Sequence, residues 1–366
     1  MNKGTRSGIR RNSRSVVESG LNADGFAFTP AEDDPESIRQ FLNGFKPPTS
    51  RYKPSGSKMP KNYSNYQNAG VNWTTVVSGF ANSTINWVAY GNNLWVAAGA
   101  IGLMSTSSDG TTWTMQTSNF SAATPIRGVV NGNNLWVAVG YSGNIRTSTD
   151  GITWITRTSN FGITSILSVA YGNSLWVAAG NSGELRTSTD GTTWTTRTST
   201  FGTATTINSV AYGNNLWVAS GYSGQLRTST DATTWTTRTS NFGTTTIRLA
   251  AYGNGLWVAV GNSGQLRTST DGTTWITRTS NFGSSIIRSV VYANGLWVAG
   301  GLYGQIRTST DAITWTTRTS NFGNTQIASI AYGNGLWVAG GLYGQLRTST
   351  KYLGYKFSQT TGFVLP

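Results

Sequence analysis

Residues 71–366 offer only seven carboxylic acids to acid–base chemistry: Asp109, Asp150, Asp190, Asp231, Asp271, Asp311 and Glu184. Hydrolysis of a glycosidic bond needs two of them at one place, one as acid and the other as base or nucleophile. Six of the seven instead recur every 40 or 41 residues in one local pattern, Ser-x-Asp-Gly-x-Thr-Trp. There the carboxylate and the serine hydroxyl are suited to satisfying the backbone groups of a tight turn. Two copies carry Ala232 and Ala312 in place of the glycine. Glu184 is isolated and stands where other copies have Gln225, Gln265, Gln305 and Gln345, which fits drift at a surface position. The chain has no histidine and no cysteine. That removes the commonest general base, the commonest metal ligand, disulfides and thiolate chemistry. No enzymatic activity, cofactor or metal site is expected.

Recognition chemistry is the alternative, and it belongs to the residues that differ between copies. One such position follows the isoleucine that opens the first strand and holds Arg127, Arg248 and Arg288, with Asn86, Leu167, Asn208 and Ala328 in the other copies. A second is a pair of residues between the second and third strands, which brings in Tyr141, Tyr222, Tyr303 and Tyr343. Both positions map to one face of a blade, opposite the aspartate turns. Arginines pair with carboxylates and aromatic rings stack on sugars, so an anionic or glycan-like partner is the expectation, with plain drift at exposed sites as its rival.

The elements that must position these residues follow from the repeat. Seven units span residues 73–350, each marked by a Leu-Trp-Val-Ala strand and six of them by the aspartate turn. Within one unit, Gly and Asn separate four short segments: Ile247 to Tyr252, Leu256 to Val260, Gln265 to Thr268 and Thr274 to Thr279. A period of this size, rich in short β segments, predicts an all-β seven-bladed propeller of four-stranded antiparallel blades. The first turn tryptophan, Trp73, precedes any Leu-Trp strand, and the last unit ends without one. The strand around Trp73 is therefore expected to complete the last blade and close the ring, which leaves no exposed sheet edges at the joint.

The turn pattern resembles the Asp-box of sialidase-type (BNR) propellers, where the motif is a fold element remote from the active site. That resemblance covers residues 73–350 and implies the fold. It does not bring the activity, because such enzymes need a carboxylic acid, a Tyr–Glu pair and three arginines at the channel mouth. A photosystem II assembly factor family shares Asp-box repeats and an arginine patch, with more divergent repeats. Near-identical polar units of this kind look most like propellers of tailed phages and large DNA viruses.

The formal charge of +14 is uneven: residues 1–70 carry 11 Lys or Arg against 6 acids, and residues 71–366 carry 16 against 7. In the repeats, arginines flank five of the six turns, as with Arg146 and Arg157 or Arg267 and Arg278. A solvated edge strand guarded by charge is the expected role of these side chains, rather than a nucleic-acid surface. Residues 1–70 read as an extended arm holding six of the eight prolines, with a short helix near 34–43. Arg6, Arg10, Arg11 and Arg14, together with Phe41 and Leu42, are its anchoring candidates. Residues 351–366 form a tail. The start has basic residues without an apolar stretch behind them, so no secretory signal is expected, and no run of residues is long enough and apolar enough for a membrane helix. The leading expectation is a virion structural protein, with the arm anchoring it to a neighbouring virion protein and the propeller serving as a rigid disc for a protein or receptor. A multivalent glycan-binding lectin is the alternative, and a cellular assembly scaffold a third.

Overall fold

The computed structural model describes residues 72–350. The arm, its helix and the tail lie outside the described residues. Within them the chain forms seven four-stranded antiparallel sheets, the blades of the expected propeller. We number the blades one to seven by their first strands, Ile85–Gly91, Ile126–Gly132, Ile166–Gly172, Ile207–Gly213, Ile247–Gly253, Ile287–Ala293 and Ile327–Gly333.

Blade five shows the plan. Its first strand is followed by Leu256–Gly261, then Leu266–Ser269, then Ile276–Arg278. The outermost strand is shorter than the sequence pattern suggested, because only Ile276, Thr277 and Arg278 find partners across the ladder. In the second strand every residue from Trp257 to Gly261 is buried, since neighbouring blades cover both of its faces. Val258, Val260 and Leu266 of this blade pack on Ile287, Val290, Trp297 and Ala299 of blade six. Each such aliphatic side chain contributes about 1.5–3 kcal/mol when it leaves water.

Close approach of the blades depends on the ends of the first strands. Gly253 faces the ring of Tyr292 so closely that a Cβ would overlap it, and Gly172 meets Tyr212 in the same way. Each of these tyrosines also leans on the tryptophan opposite it, with centroids 4.9 Å apart for Tyr212–Trp217 and 5.1 Å for Tyr292–Trp297. Tilted aromatic contacts of this kind add to simple area burial.

The ring closes as the repeat count requires. Thr74–Val76 pairs with Leu346–Thr350, matching Thr74 to Thr348, Thr75 to Arg347 and Val76 to Leu346. The joint also reuses a bond found between successive blades. The Asn321 amide donates to the Trp73 carbonyl at 2.6 Å, as the Asn281 amide donates to Trp315 at 2.7 Å.

The expectation of solvated turn arginines fails for one series. Arg146, Arg186, Arg227, Arg267, Arg307 and Arg347 lie on the third strand, not the edge, and are buried. Arg267 illustrates why a charge is tolerated there. Its guanidinium stacks 4.7 Å from the Phe242 ring centroid and donates to the Asn241 and Leu266 carbonyls and to the Gln265 Oε1. Every donor direction that matters is satisfied, and the aromatic face supplies further attraction. Glu184 occupies the same acceptor slot as Gln265, taking a bond from Arg186 at 3.1 Å. The second series, Arg157, Arg197, Arg238, Arg278 and Arg318, does lie on the outermost strand. Its members are half-buried, each with its Nε on a threonine hydroxyl, as for Arg278 on Thr268.

Candidate binding channel

The residue after each opening isoleucine is the extra residue of a β-bulge. The ladder skips it between Ile126 and Gly128, between Ile247 and Leu249, and between Ile287 and Ser289. A bulge turns one side chain away from the alternation of its strand. Here the bulged residues of all seven blades converge on one cavity of about 330 Å³. Arg127, Arg248 and Arg288 line it with Asn86, Asn208, Leu167 and Ala328, and Trp87, Leu249 and Leu342 add apolar wall.

The polar residues of this channel differ in what they have left to offer. The amides of Asn86 and Asn208 donate across to the next blade, to the Ile126 carbonyl at 2.9 Å and the Ile247 carbonyl at 2.8 Å. Arg248 donates through Nε to the Asn262 Oδ1 at 2.8 Å. Arg127 lies 5.7 Å from the Tyr141 ring centroid. Among the described residues the buried Nε atoms of Arg127 and Arg288 find no hydrogen-bond partner.

Among the described residues no carboxylate lines the cavity. Burial, followed by the charges of Arg248 and Arg127, pushes the Arg288 guanidinium down to about 10. Burial also lowers Arg248, helped by Arg127 and opposed by Tyr222. Three cations therefore face one another without a counter-charge among the described residues, an arrangement that favours an incoming anion.

The tyrosines paired with these arginines in the sequence reading do not join them in the cavity lining. Tyr141 and Tyr222 are the first residues of their inter-strand turns, and Tyr303 and Tyr343 the second. The latter two have φ of 56° and stand 61 % exposed. The turns themselves pack beside the opening of the first strand: the Leu342 N–H donates to the Gln326 carbonyl, and that of Tyr222 to the Thr206 carbonyl. Tyrosines and arginines thus share one end of the ring, the arginines inside the channel and the tyrosines around its rim.

The aspartate turns occupy the other end of the blades, where each carboxylate is tied to its own turn. In blade one, Asp109 Oδ1 accepts from the Thr111 and Thr112 N–H groups at 2.7 Å each, and the Ser107 hydroxyl holds the Gly110 N–H at 2.8 Å. The Trp113 indole then donates to the Gly110 carbonyl at 2.9 Å. Where alanine replaces the glycine, Ala232 and Ala312 keep the left-handed backbone, at φ 58° and 60°. Among the described residues no group of three or more His, Cys, Asp or Glu could hold a metal ion.

Residues 70–200 match a family model described as a DUF6242 beta propeller domain. No curated protein matches the chain. Among solved structures it is similar to a YCF48 bound to D1 peptide, at 16% identity over 77% of this chain and 96% of that one, with a TM-score of 0.64. YCF48 from Cyanidioschyzon merolae gives 18% identity, coverage of 76% and 98%, and a TM-score of 0.63. The WD40 beta propeller domain of Doa1 gives 13% identity, coverage of 77% and 98%, and a TM-score of 0.63. At these identities the likeness is one of fold.

Proposed function

We propose that this propeller is a non-catalytic interaction module that holds an anionic group of a protein partner in its channel. One observation carries the reading: seven bulges turn their residues into one cavity, and the three arginines among them have no acid to answer them among the described residues. The described acids are occupied in turns or paired with Arg186, so the channel has nothing to act as a general acid or base. The turn residues resemble an Asp-box and are given a purely structural role. One solved neighbour is a YCF48 bound to a peptide, and a propeller that grips a partner chain is in keeping with that.

The role is assembly: the disc holds a partner and does not transform it. The near-identical polar repeats favour a virus particle as the setting, with Arg6, Arg10, Arg11, Arg14, Phe41 and Leu42 of the arm as the anchor. Deleting residues 1–60 should then leave a folded propeller that no longer co-sediments with particles; unchanged incorporation would remove the arm from the anchoring role, whereas failure of the intact chain to co-sediment would leave the disc with a cellular assembly. The channel itself is tested with a fluorescent poly-glutamate peptide. The wild-type chain should bind it with a strong salt dependence, and the double substitution Arg248→Gln, Arg288→Gln should abolish binding. Equal binding by both proteins would refute the channel as the site.

A further inference from the structure

The rim around the channel is not equivalent from blade to blade. In every blade the second residue of the turn between the second and third strands has a left-handed backbone: Ile101, Ser142, Ser182, Ser223, Ser263, Tyr303 and Tyr343, with φ between 49° and 57°. A residue with a Cβ is held there at an energetic cost, and a β-branched or bulky one is a marked outlier. Blades two to five carry serine, a small residue, at this position. Blades six, seven and one, which are consecutive around the ring, carry Tyr, Tyr and Ile. These three large side chains are 61 %, 61 % and 50 % exposed. They bear the backbone cost and bury little in return. Random drift would scatter such residues; here they form one uninterrupted arc. Costly conformations held at exposed positions are a mark of functional sites.

The arc adjoins apolar channel wall. Leu342 precedes Tyr343 in the same turn and lines the cavity, as do Trp87 of blade one and Ala328 of blade seven. Arg288 belongs to blade six, where the arc begins. This end of the ring is therefore split into an apolar sector and a cationic channel.

We propose that blades six, seven and one dock a polypeptide segment of the partner protein, its apolar side chains lying across Tyr303, Tyr343 and Ile101 while an adjacent acidic side chain or chain end reaches Arg288 and Arg248. This rests on the channel reading above and adds the occupant and its orientation. A small oxyanion would answer the arginines and leave the arc without purpose. A nucleic-acid duplex is too wide for a channel of about 330 Å³, whereas a single carboxylate on a flexible stem can enter it. Apolar residues on the arc and a carboxylate in the channel are complementary to one amphipathic peptide.

The experiment uses the full chain and a random dodecapeptide library displayed for selection. Enriched peptides should combine Asp or Glu with Leu, Ile, Phe or Tyr. Their affinity is then measured for two variants. The triple substitution Ile101→Ser, Tyr303→Ser, Tyr343→Ser installs the residue already native at four equivalent positions, so its melting temperature should hold or rise while peptide affinity falls at least about tenfold. The variant Arg248→Gln, Arg288→Gln should lose the same peptides. Peptides that depend on the arginines but bind the serine variant unchanged would overturn the arc and leave the channel reading standing. Peptides that depend on the arc but not on the arginines would keep the apolar docking and overturn the acidic contact. Absence of enrichment, or an affinity for single-stranded oligonucleotide that the serine variant loses, would overturn the peptide as occupant.

Discussion

A guanidinium buried in a protein is tolerable when its donors are answered and costly when they are not. This chain contains both cases in successive blades. Arg267 is covered by Phe242 and donates to two carbonyls and a glutamine. Arg288 is half-buried, has an unanswered Nε and faces two other cations. The same substitution should therefore have opposite signs at the two sites. Arg267→Gln should lower stability by about 2 kcal/mol, because several buried bonds and the aromatic contact are lost together. Arg288→Gln should raise it by about 1 kcal/mol in the absence of ligand, after allowing for the solvent that screens the channel. Urea titration of the two variants checks this, and a loss of stability at both would mean that the channel cations are not in conflict. A site that is less stable empty than when altered is the expected form of one prepared for a ligand.

At the scale of the blade, the recurring unit is a first strand whose terminal glycine receives a tyrosine from the next blade. Blade two departs from the pattern. Asn131 stands where Tyr90, Tyr171 and Tyr212 stand in others, and its side-chain nitrogen is buried without a partner. Trp136 consequently lacks the tilted neighbour that Trp176 has in Tyr171 at 4.8 Å. Because Gly91 leaves room on the facing blade, Asn131→Tyr should restore the pair and stabilise the protein by about 1 kcal/mol, or roughly 2 °C in melting temperature. A fall in melting temperature would show that this interface has closed around the smaller residue. The same blade-level view explains what could be read in advance. The period, the four segments and the closing strand around Trp73 were legible because turn residues and apolar strands repeat locally. The convergence of residues 127, 248 and 288 was legible only as variation; that each is the extra residue of a bulge depends on pairing register, which periodicity does not encode. The buried arginine series was misread because charge normally marks a solvated surface, and the Phe that covers each one comes from the connection before its blade. For the tyrosines, a variable pair looked like one site, although only its second member carries the left-handed backbone that sets Tyr303 and Tyr343 apart.

Across the whole wheel, stability depends on contacts that each sector repeats and on one joint that covalent continuity does not secure. The repeated contacts set the response to acid. Asp109, Asp150 and Asp311 are held below the usual carboxylate range chiefly by the backbone N–H groups of Thr112, Thr153 and Thr314, and Asp190, Asp231 and Asp271 chiefly by the hydroxyls of Thr192, Thr233 and Thr273. A carboxylate whose folded pKa is depressed contributes stability that is complete above its unfolded value, near 3.9, and is lost as pH falls towards the folded value. With no histidine to titrate, the melting temperature should stay level from about pH 8 to pH 5 and fall below about pH 4; a transition near pH 6 would contradict this assignment. The joint is tested separately, and the absence of cysteine makes the background clean. Thr74 and Thr348 face each other across the closing ladder, and directly opposed strand residues lie within reach of a disulfide. The double substitution Thr74→Cys, Thr348→Cys should therefore oxidise readily within one chain and fasten the first described strand to the last. In a ring, opening at the joint releases the two terminal strands before the sectors separate, so a bond there acts on the step that begins unfolding. It should raise stability by about 2–4 kcal/mol, an advantage that a reductant removes. If the oxidised protein melts no higher than the reduced one, opening begins between other blades, and the joint is no weaker than the interfaces within the chain.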